Sequence, residues 1–146
     1  MTGSPTPGSV AAWVALMRAQ TATLARIEAD LDGAGLPPLA WYDVLLELRR
    51  AERASKRLRQ RDLQAALLLA GYNLSRLLDR MAGAGLVARE PTPDDRRGID
   101  IVPTAEGRAM RRRMWPVYAR ALGHHVGRHF DAAEATTLAT LLERLR

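Results

Sequence analysis

The chain contains no cysteine among its 146 residues, and this absence excludes several kinds of chemistry. Without a thiol, the chain can form no disulfide, no thiolate nucleophile and no cysteine-ligated zinc site. Peroxide therefore has no thiol to oxidise here. A chain without cysteine is compatible with a reducing compartment, and we predict a cytoplasmic location.

Long apolar runs and export signals are also missing. No apolar run approaches the roughly 20 residues of a membrane-spanning helix, so no membrane partner is predicted. The start of the chain, MTGSPTPGS, has neither a basic region nor an apolar core. Residues 1–9 are predicted to be a disordered tail, and residues 10–146 are predicted to form a single domain.

The residue patterns that enzymes need are scarce. An enzyme requires a nucleophile beside a base, paired acids in a cleft, or a phosphate-binding loop, and none is visible. The motif GAGL occurs twice but lacks the strand and the full glycine spacing of a dinucleotide site. His125 and His129 are four residues apart, a spacing that could hold a metal ion, although solvated or interface histidines are the simpler interpretation. We predict no enzymatic activity, no metal site and no other cofactor.

Positive charge is what the chain has in excess, and almost all of it is arginine. There are 22 Lys+Arg against 16 Asp+Glu, a net charge of +6, and Lys56 is the only lysine. This balance favours an anionic partner, and nucleic acid before a membrane surface. Arginine suits bidentate recognition of phosphate and guanine, although codon usage alone also favours arginine. The basic run RRAERASKRLRQR, residues 49–61, concentrates this charge.

Apolar residues at helical spacing predict a mainly α-helical chain. The first helix is predicted over residues 10–31, and the glycines and prolines of DGAGLPP end it. A second helix is predicted over residues 39–50. The basic run follows, and it contains a predicted short strand around Leu58.

Two short helices are predicted next, over residues 60–68 and 72–84, with a turn at Gly71 between them. Such a pair is typical of a helix-turn-helix. The second helix has one apolar face, which we expect to be buried, and one polar face. The apolar face carries Leu74, Leu77, Leu78 and Met81, and the polar face carries Asn73, Ser75, Arg76, Asp79 and Arg80.

The stretch REPTPDDRRGID, residues 89–100, predicts a β-hairpin with a charged tip. Pro91 and Pro93 cannot donate to a strand ladder, and Gly98 is a natural turn residue. Apolar residues flank the stretch on both sides, and two acids and two arginines lie side by side in its centre. The simplest interpretation of these charges is a solvated turn paired with itself.

The last third of the chain predicts two more helices. Thr104 can cap a helix that runs to about Phe130, and Pro116 should kink it. Asp131 can cap a final helix that carries a leucine stripe.

The order of these elements resembles the MarR family of bacterial winged-helix transcription regulators. LSRLLDRMAGAGLV resembles the family's recognition helix and the start of its wing. PDDRR resembles the wing tip, and VPTAEG resembles the start of the next helix, with Pro103 where the family usually has leucine. At the turn before the recognition helix the family usually places a polar cap, where this chain has Ala70, Gly71 and Tyr72, and Gly71 is the predicted cap.

The resemblance implies a mainly α fold with a small β-wing. A winged helix-turn-helix core would span residues 39–103, and dimerisation helices would span residues 10–36 and 104–146. It further implies a homodimer that binds a near-palindromic operator in double-stranded DNA, as a repressor released by a small-molecule ligand. A constitutive or architectural DNA-binding protein of the same fold is the alternative.

The resemblance also implies which residues contact DNA. On the recognition helix, which would lie in the major groove, the candidates are Tyr72, Asn73, Ser75, Arg76 and Arg80. On the wing, Arg97 would reach the minor groove with Arg96 beside it, and Asp95 would hold the guanidinium of Arg97.

Aromatic residues suggest where a ligand would bind. In the family, a small aromatic or lipophilic effector often lies between the dimerisation helices and the winged core. Trp13, Trp41 and Tyr42 are candidates to line such a pocket, with ordinary core packing as the alternative.

Overall fold

The computed structural model describes residues 3–146, so the first two residues of the predicted tail lie outside it. The described chain is mainly α-helical and has a small antiparallel β-sheet, as the sequence predicts. The elements are α1 (Pro7–Gly33), α2 (Leu39–Arg53), β1 (Leu58–Arg59), α3 (Gln60–Ala66), α4 (Leu74–Gly83), β2 (Val87–Pro91), β3 (Ile99–Pro103), α5 (Ala105–His125), a 3-10 turn (Gly127–His129) and α6 (Ala132–Glu143). None of the helices in residues 3–146 has the length and apolar character needed to cross a membrane.

Helix α1 begins earlier than the sequence pattern predicts. The hydroxyl of Thr6 accepts a hydrogen bond from the backbone N–H of Ser9 at 3.1 Å, and Pro7 occupies the first helical position. Both features stabilise a helix start, because they satisfy or remove donors that the first turn leaves unpaired. The predicted tail over residues 1–9 is therefore corrected at its end, since residues 7–9 are helical.

The core consists of two apolar clusters. One lies inside the winged unit and confirms the predicted buried face of α4; its buried members are Val44, Leu45, Leu48, Leu63, Leu74, Leu77, Leu78, Met81, Val87 and Ile101. The other joins α1, α2 and α5 through Ile27, Leu31, Leu39, Tyr42, Met114 and Ala121. Because α2 contributes to both clusters, it connects the long helices to the winged unit.

The sheet has the order β1-β3-β2, so β3 is its central strand. Strands β2 and β3 pair antiparallel, from Val87 opposite Pro103 to Pro91 opposite Ile99. The predicted hairpin is thereby confirmed, and residues 92–98 form its tip. On the other side of β3, Leu58 lies opposite Ile101, which brings the basic run against the hairpin.

The start of α5 packs tightly against Gly85 and Leu86, between α4 and β2. Thr104 caps α5 as predicted, because its hydroxyl oxygen accepts the N–H of Gly107 at 3.0 Å and its O–H donates to the carbonyl of Gly85 at 2.5 Å. A Cβ at Gly107 would lie 2.0 Å from the carbonyl oxygen of Leu86. Only glycine permits this close approach, which sets the direction of α5 relative to the winged unit.

Helix α5 ends at His125, five residues before the predicted end at Phe130. Gly123 and Gly127 lie near this end, and glycine is a poor helix former. The helix continues through Pro116, whose ring removes one backbone hydrogen bond. Asp131 then caps α6 as predicted, with Glu134 completing a capping box.

The apolar stripes of α1 and α6 remain exposed in the single chain. The exposed apolar residues of α1 are Val10, Trp13, Val14 and Met17, and those at the C-terminal end are Leu138, Leu141, Leu142 and Leu145. Trp13 is 61% exposed and Leu145 is 72% exposed. Contiguous exposed apolar surface of this kind marks interaction sites.

Candidate nucleic-acid interface

The exposed face of α4 begins with a side-chain cap. Asn73 precedes the helix, and its amide oxygen accepts the backbone N–H of Arg76 at 3.1 Å. The prediction of Gly71 as the cap is therefore wrong, because the polar cap stands two residues later. This bond uses one of the two lone pairs of the Asn73 oxygen, so the oxygen and the amide nitrogen can both still contact an outside partner.

Arg76 and Arg80 lie one turn apart on the exposed face of α4. In the described part of the chain, no carboxylate lies within 4.0 Å of either guanidinium. The nearby Asp79 instead pairs with Arg89 of β2 at 2.7 Å. This pair connects the helix to the wing and leaves both helix arginines available to an outside anion.

Two other candidates lie on α4 or just before it. Ser75 has a partner within the protein, and the hydroxyl of Tyr72 points inward. Ser75 accepts a hydrogen bond from the side-chain nitrogen of Gln60 at 2.6 Å, which connects α4 to α3. The hydroxyl oxygen of Tyr72 is buried and has no hydrogen-bond partner among residues 3–146. Burial, with a smaller effect from the charge of Asp43, raises the pKa of Tyr72 to about 12. The structure thus places the Tyr72 hydroxyl away from the surface that a phosphate would reach.

The wing tip presents Arg96 and Arg97, both exposed. Asp95 does not hold the guanidinium of Arg97 as predicted. Its Oδ1 accepts the backbone N–H of Arg97 at 3.0 Å, and its Oδ2 forms an ion pair with the guanidinium of Arg59 on β1. Both contacts lower the pKa of Asp95, and the hydrogen bond from the backbone of Arg97 has the larger effect. Asp95 therefore fixes the backbone at Arg97 and leaves that side chain free to extend.

Two arginines of the basic run pair with acids of the hairpin. Arg57 forms ion pairs with Glu90 and, at 3.4 Å, with the buried Asp100, and Arg59 pairs with Asp95. The sequence indicated only a concentration of positive charge in this run, and these pairs were not predicted. The available signal was the spacing of two between Arg57 and Arg59, which places both side chains on one face of a strand.

Asp43 is a second residue that sequence reasoning missed. It lies on α2 with only 5% of its surface exposed, and its two carboxylate oxygens accept the backbone N–H groups of Leu68 at 3.1 Å and Leu69 at 2.8 Å. These residues belong to the segment between α3 and α4. The signal in the sequence was one acid within the apolar stretch LAWYDVLL, residues 39–46.

The three predicted pocket residues do not lie around one cavity. Tyr42 lines a cavity of about 560 Å³ between α2, the segment 65–69 and α5, where Tyr118 also contributes. Trp41 lines a different groove, of about 320 Å³, beside α4. Trp13 lies on the exposed half of α1. Of the three, Tyr42 alone lies at the cavity between the long helices and the winged unit.

The histidines form no metal cluster in the part of the chain that the structure describes. His125 lies 2.8 Å from Asp30, between its Nε2 and a carboxylate oxygen, and so connects α5 to α1. His129 lies in the 3-10 turn beyond the end of α5.

Comparison with known proteins supplies the context for this geometry. Residues 34–98 match the family model described as the MarR family. A 72-residue segment, 49% of this chain, is 32% identical to the multiple antibiotic resistance protein MarR of Escherichia coli (strain K12) and spans only 50% of that relative's length. The crystal structure of AbsC, a MarR family transcriptional regulator from Streptomyces coelicolor, is 28% identical and superimposes with a TM-score of 0.83 over 99% of this chain and 95% of its own.

A second regulator from Streptomyces coelicolor, Sco3205, was solved in complex with DNA and is 24% identical. It superimposes with a TM-score of 0.84 over 97% of this chain and 91% of its own. At this level of identity the likeness shows the fold alone. The family match covers the helix-turn-helix, β2 and the wing tip, and the structural matches extend over β3 and the flanking helices. Over residues 34–98 the chain is similar to the MarR family, and over nearly its whole length its fold is similar to that of MarR family transcriptional regulators.

Proposed function

We propose that this protein is a dimeric, sequence-specific DNA-binding transcription regulator whose release from DNA is controlled by a small molecule. The DNA-binding part rests on exposed arginines that lie on two connected elements and have no carboxylate partner within residues 3–146. Arg76 and Arg80 lie on α4, Arg96 and Arg97 lie on the wing tip, and the Arg89–Asp79 pair connects the two elements. The fold shared with Sco3205, which was solved with DNA, supports the same function.

Each group of arginines suits one part of a DNA duplex. A recognition helix enters the major groove, where arginine donates to guanine or phosphate. A narrow minor groove concentrates negative potential, which attracts an inserted arginine such as Arg97. The tip carries two adjacent arginines on a short hairpin, and this shape suits insertion better than it suits contact with a flat protein surface.

The exposed leucines of α6 and the apolar first half of α1 support a homodimer. One copy of the chain leaves both surfaces open to water, and a second copy would bury them. A two-fold dimer presents two recognition helices, which requires a near-palindromic operator with half-sites about one helical turn apart.

The cavity lined by Tyr42 is the proposed effector site. Its volume of about 560 Å³ falls within the ordinary range for small-molecule pockets. Asp43 lines the same cavity and also binds the N–H groups of Leu68 and Leu69. A small aromatic or lipophilic ligand that displaced this carboxylate would move the segment leading to α4. This connection favours a ligand-responsive regulator over a constitutive or architectural one.

We infer that the protein is not an enzyme, because the arginines and the cavity described above suit binding and include no arrangement of nucleophile and base. It would act in the cytoplasm, where its DNA partner is.

Salt-dependent binding to promoter fragments tests the DNA-binding function. Wild-type protein should bind one near-palindromic fragment more tightly than scrambled DNA, with affinity falling as salt rises. Arg97→Ala should weaken binding at all sequences and reduce the salt slope by roughly 0.9 for each phosphate that the protein no longer neutralises. Arg18→Ala on α1 removes the same charge away from the proposed interface and should change neither quantity. Equal effects of the two substitutions would refute a role for the tip.

Fluorescence tests the effector site. The ring of Trp115 stacks on Tyr42 at 6.2 Å between centroids, so its emission should report on the cavity. Phenolic and lipophilic compounds should be screened for a change in emission and for release of operator DNA. By linkage, operator DNA must weaken binding of a true effector by the same factor. Leu46→Trp adds bulk to the cavity wall and should abolish both responses. If no compound releases DNA, the constitutive alternative holds.

A further inference from the structure

Two arginines, one on β1 and one just before it, bind acids of the hairpin. Arg59 pairs with Asp95 at the tip, and Arg57 pairs with Glu90 and with the buried Asp100 on the two strands. Residues 59 and 95 are 36 positions apart in the chain. Arg59 of β1 thus connects to the wing at its tip, and Arg57, just before β1, connects to its strands.

The tip closes through its own backbone. The N–H of Thr92 donates to the carbonyl of Gly98 at 2.9 Å, the N–H of Gly98 donates to the carbonyl of Asp95 at 3.2 Å, and the N–H of Arg97 donates to the carboxylate of Asp95 at 3.0 Å. The hydroxyl of Thr92 donates to Asp100 at 2.9 Å. Asp95 therefore takes part both in the closure of the tip and in the ion pair with β1.

Gly98 gives Arg59 a second contact with the tip. A Cβ at Gly98 would lie 2.5 Å from the hydroxyl oxygen of Thr92 and 2.9 Å from a guanidinium nitrogen of Arg59. The guanidinium thus packs directly over the Gly98 backbone, where no larger side chain fits. Arg59 contacts the tip on both sides of Arg97, at Asp95 and at Gly98.

We propose that Arg59, acting through Asp95, is a positioning residue that holds the wing tip in the conformation that presents Arg97. The proposal rests on the proposed DNA-binding function, and it assigns to Arg59 an internal role in place of contact with phosphate. A carboxylate beside Arg97 repels DNA, so attraction alone does not account for Asp95. An ordered tip, by contrast, reduces the conformational entropy that binding to DNA would otherwise remove.

Two neighbouring acids provide a test in which an effect of charge alone and an effect of positioning predict opposite changes in operator affinity. Asp94→Asn and Asp95→Asn each remove one negative charge from the tip. Asp94 has no hydrogen bond or ion pair of its side chain in residues 3–146 and has a φ of 64°, which asparagine also tolerates. Asp94→Asn should therefore leave operator affinity unchanged or raise it. Asp95→Asn should weaken binding by about tenfold, because an uncharged amide no longer provides the charge-assisted hydrogen bonds that order the tip. Tighter binding by Asp95→Asn would overturn the proposal.

A double-mutant cycle separates positioning from direct contact. If Arg59 acts through the tip, Arg59→Ala and Arg97→Ala should each weaken binding, and the double variant should be little weaker than Arg97→Ala alone. If Arg59 binds a phosphate independently, the two effects should multiply and the proposal fails.

Amide hydrogen exchange tests the positioning without DNA. In wild-type protein the N–H groups of Arg97 and Gly98 should exchange more slowly than in Arg59→Ala, while amides of α4 should exchange equally in both. Equal exchange at the tip in the two proteins would overturn the proposal. Because this measurement needs no operator, it stands even if the wild-type protein binds no DNA, and in that case the proposed function alone would fail.

Discussion

The carboxylate of Asp43 on α2 accepts the backbone N–H of Leu69 at 2.8 Å, and this bond holds the segment that leads to α4 against the helix behind it. The second oxygen of the same carboxylate accepts the N–H of Leu68 at 3.1 Å. One buried acid therefore satisfies two successive backbone donors that no helix or strand pairs. The position of the recognition helix depends on this contact as well as on the packing of α4.

Replacing Asp43 should destabilise the protein. Asp43→Ala removes the buried carboxylate that accepts the N–H groups of Leu68 and Leu69, and it should lower the free energy of unfolding by about 2–4 kcal/mol. Operator affinity should fall as well, because the segment before α4 loses its anchor. Urea unfolding followed by circular dichroism measures the first effect. Asp43→Asn retains one acceptor, so its free energy of unfolding should lie between those of the wild type and Asp43→Ala. If Asp43→Ala loses less than about 0.5 kcal/mol, the assignment is contradicted.

Removing the hydroxyl of Tyr72 should not weaken DNA binding. Because this oxygen is buried and has no hydrogen-bond partner within residues 3–146, Tyr72→Phe should leave operator affinity unchanged and keep stability constant or raise it by about 1 kcal/mol. Arg76→Ala, on the exposed face of α4, should weaken binding in the same assay. Spectrophotometric titration should also lose one tyrosine that ionises with a pKa of about 12. Weaker binding by the phenylalanine variant would show that the hydroxyl reaches DNA after all.

The carboxyl of Asp95 should titrate below its ordinary range. The N–H of Arg97 and the guanidinium of Arg59 both favour its charged form and lower its pKa. With a lowered pKa in the folded state, the stabilisation of the tip is complete above the ordinary carboxyl pKa and is lost as the pH falls through the lowered value. Arg59→Ala should raise the pKa of Asp95 while leaving it below the ordinary value, since the backbone hydrogen bond remains. Carbon-detected NMR of the side-chain carboxyl gives both values, and identical titration in the two proteins would contradict the ion pair.

Charging the leucine stripe of α6 should produce a monomer. Leu138→Asp with Leu141→Asp places two carboxylates on a face that a second copy would bury, at a cost of several kcal/mol to association. Size-exclusion chromatography with light scattering should show a dimer for wild type and a monomer for this variant. Leu68→Asp is the control, because it charges a leucine that is 75% exposed on the winged unit. This variant should remain dimeric. A monomeric wild-type protein at micromolar concentration would refute the dimer.

Much of the fold could be predicted from signals that act over a few residues. The spacing of Leu74, Leu77, Leu78 and Met81 predicts the buried face of α4, because residues three and four apart lie on one side of a helix. Thr104 and Asp131 mark helix starts because their side chains reach backbone donors three residues away. The hairpin at residues 89–100 follows from the prolines and the glycine that interrupt its strands.

The contacts that position the candidate site were decided only by the tertiary structure. Whether Asp95 binds Arg97 or Arg59 depends on how β1 lies against the hairpin, and no local pattern specifies an ion pair across 36 positions. The inward direction of the Tyr72 hydroxyl depends likewise on tertiary packing. Trp41 and Tyr42 line different cavities because consecutive residues of one helix point about 100° apart, whereas the exposure of Trp13 depends on which part of α1 the rest of the chain covers. Periodicity and caps determine where helices form, because their interactions span a turn or two. Side-chain partners between elements depend on distances of a few ångströms, which arise only when the whole chain packs together.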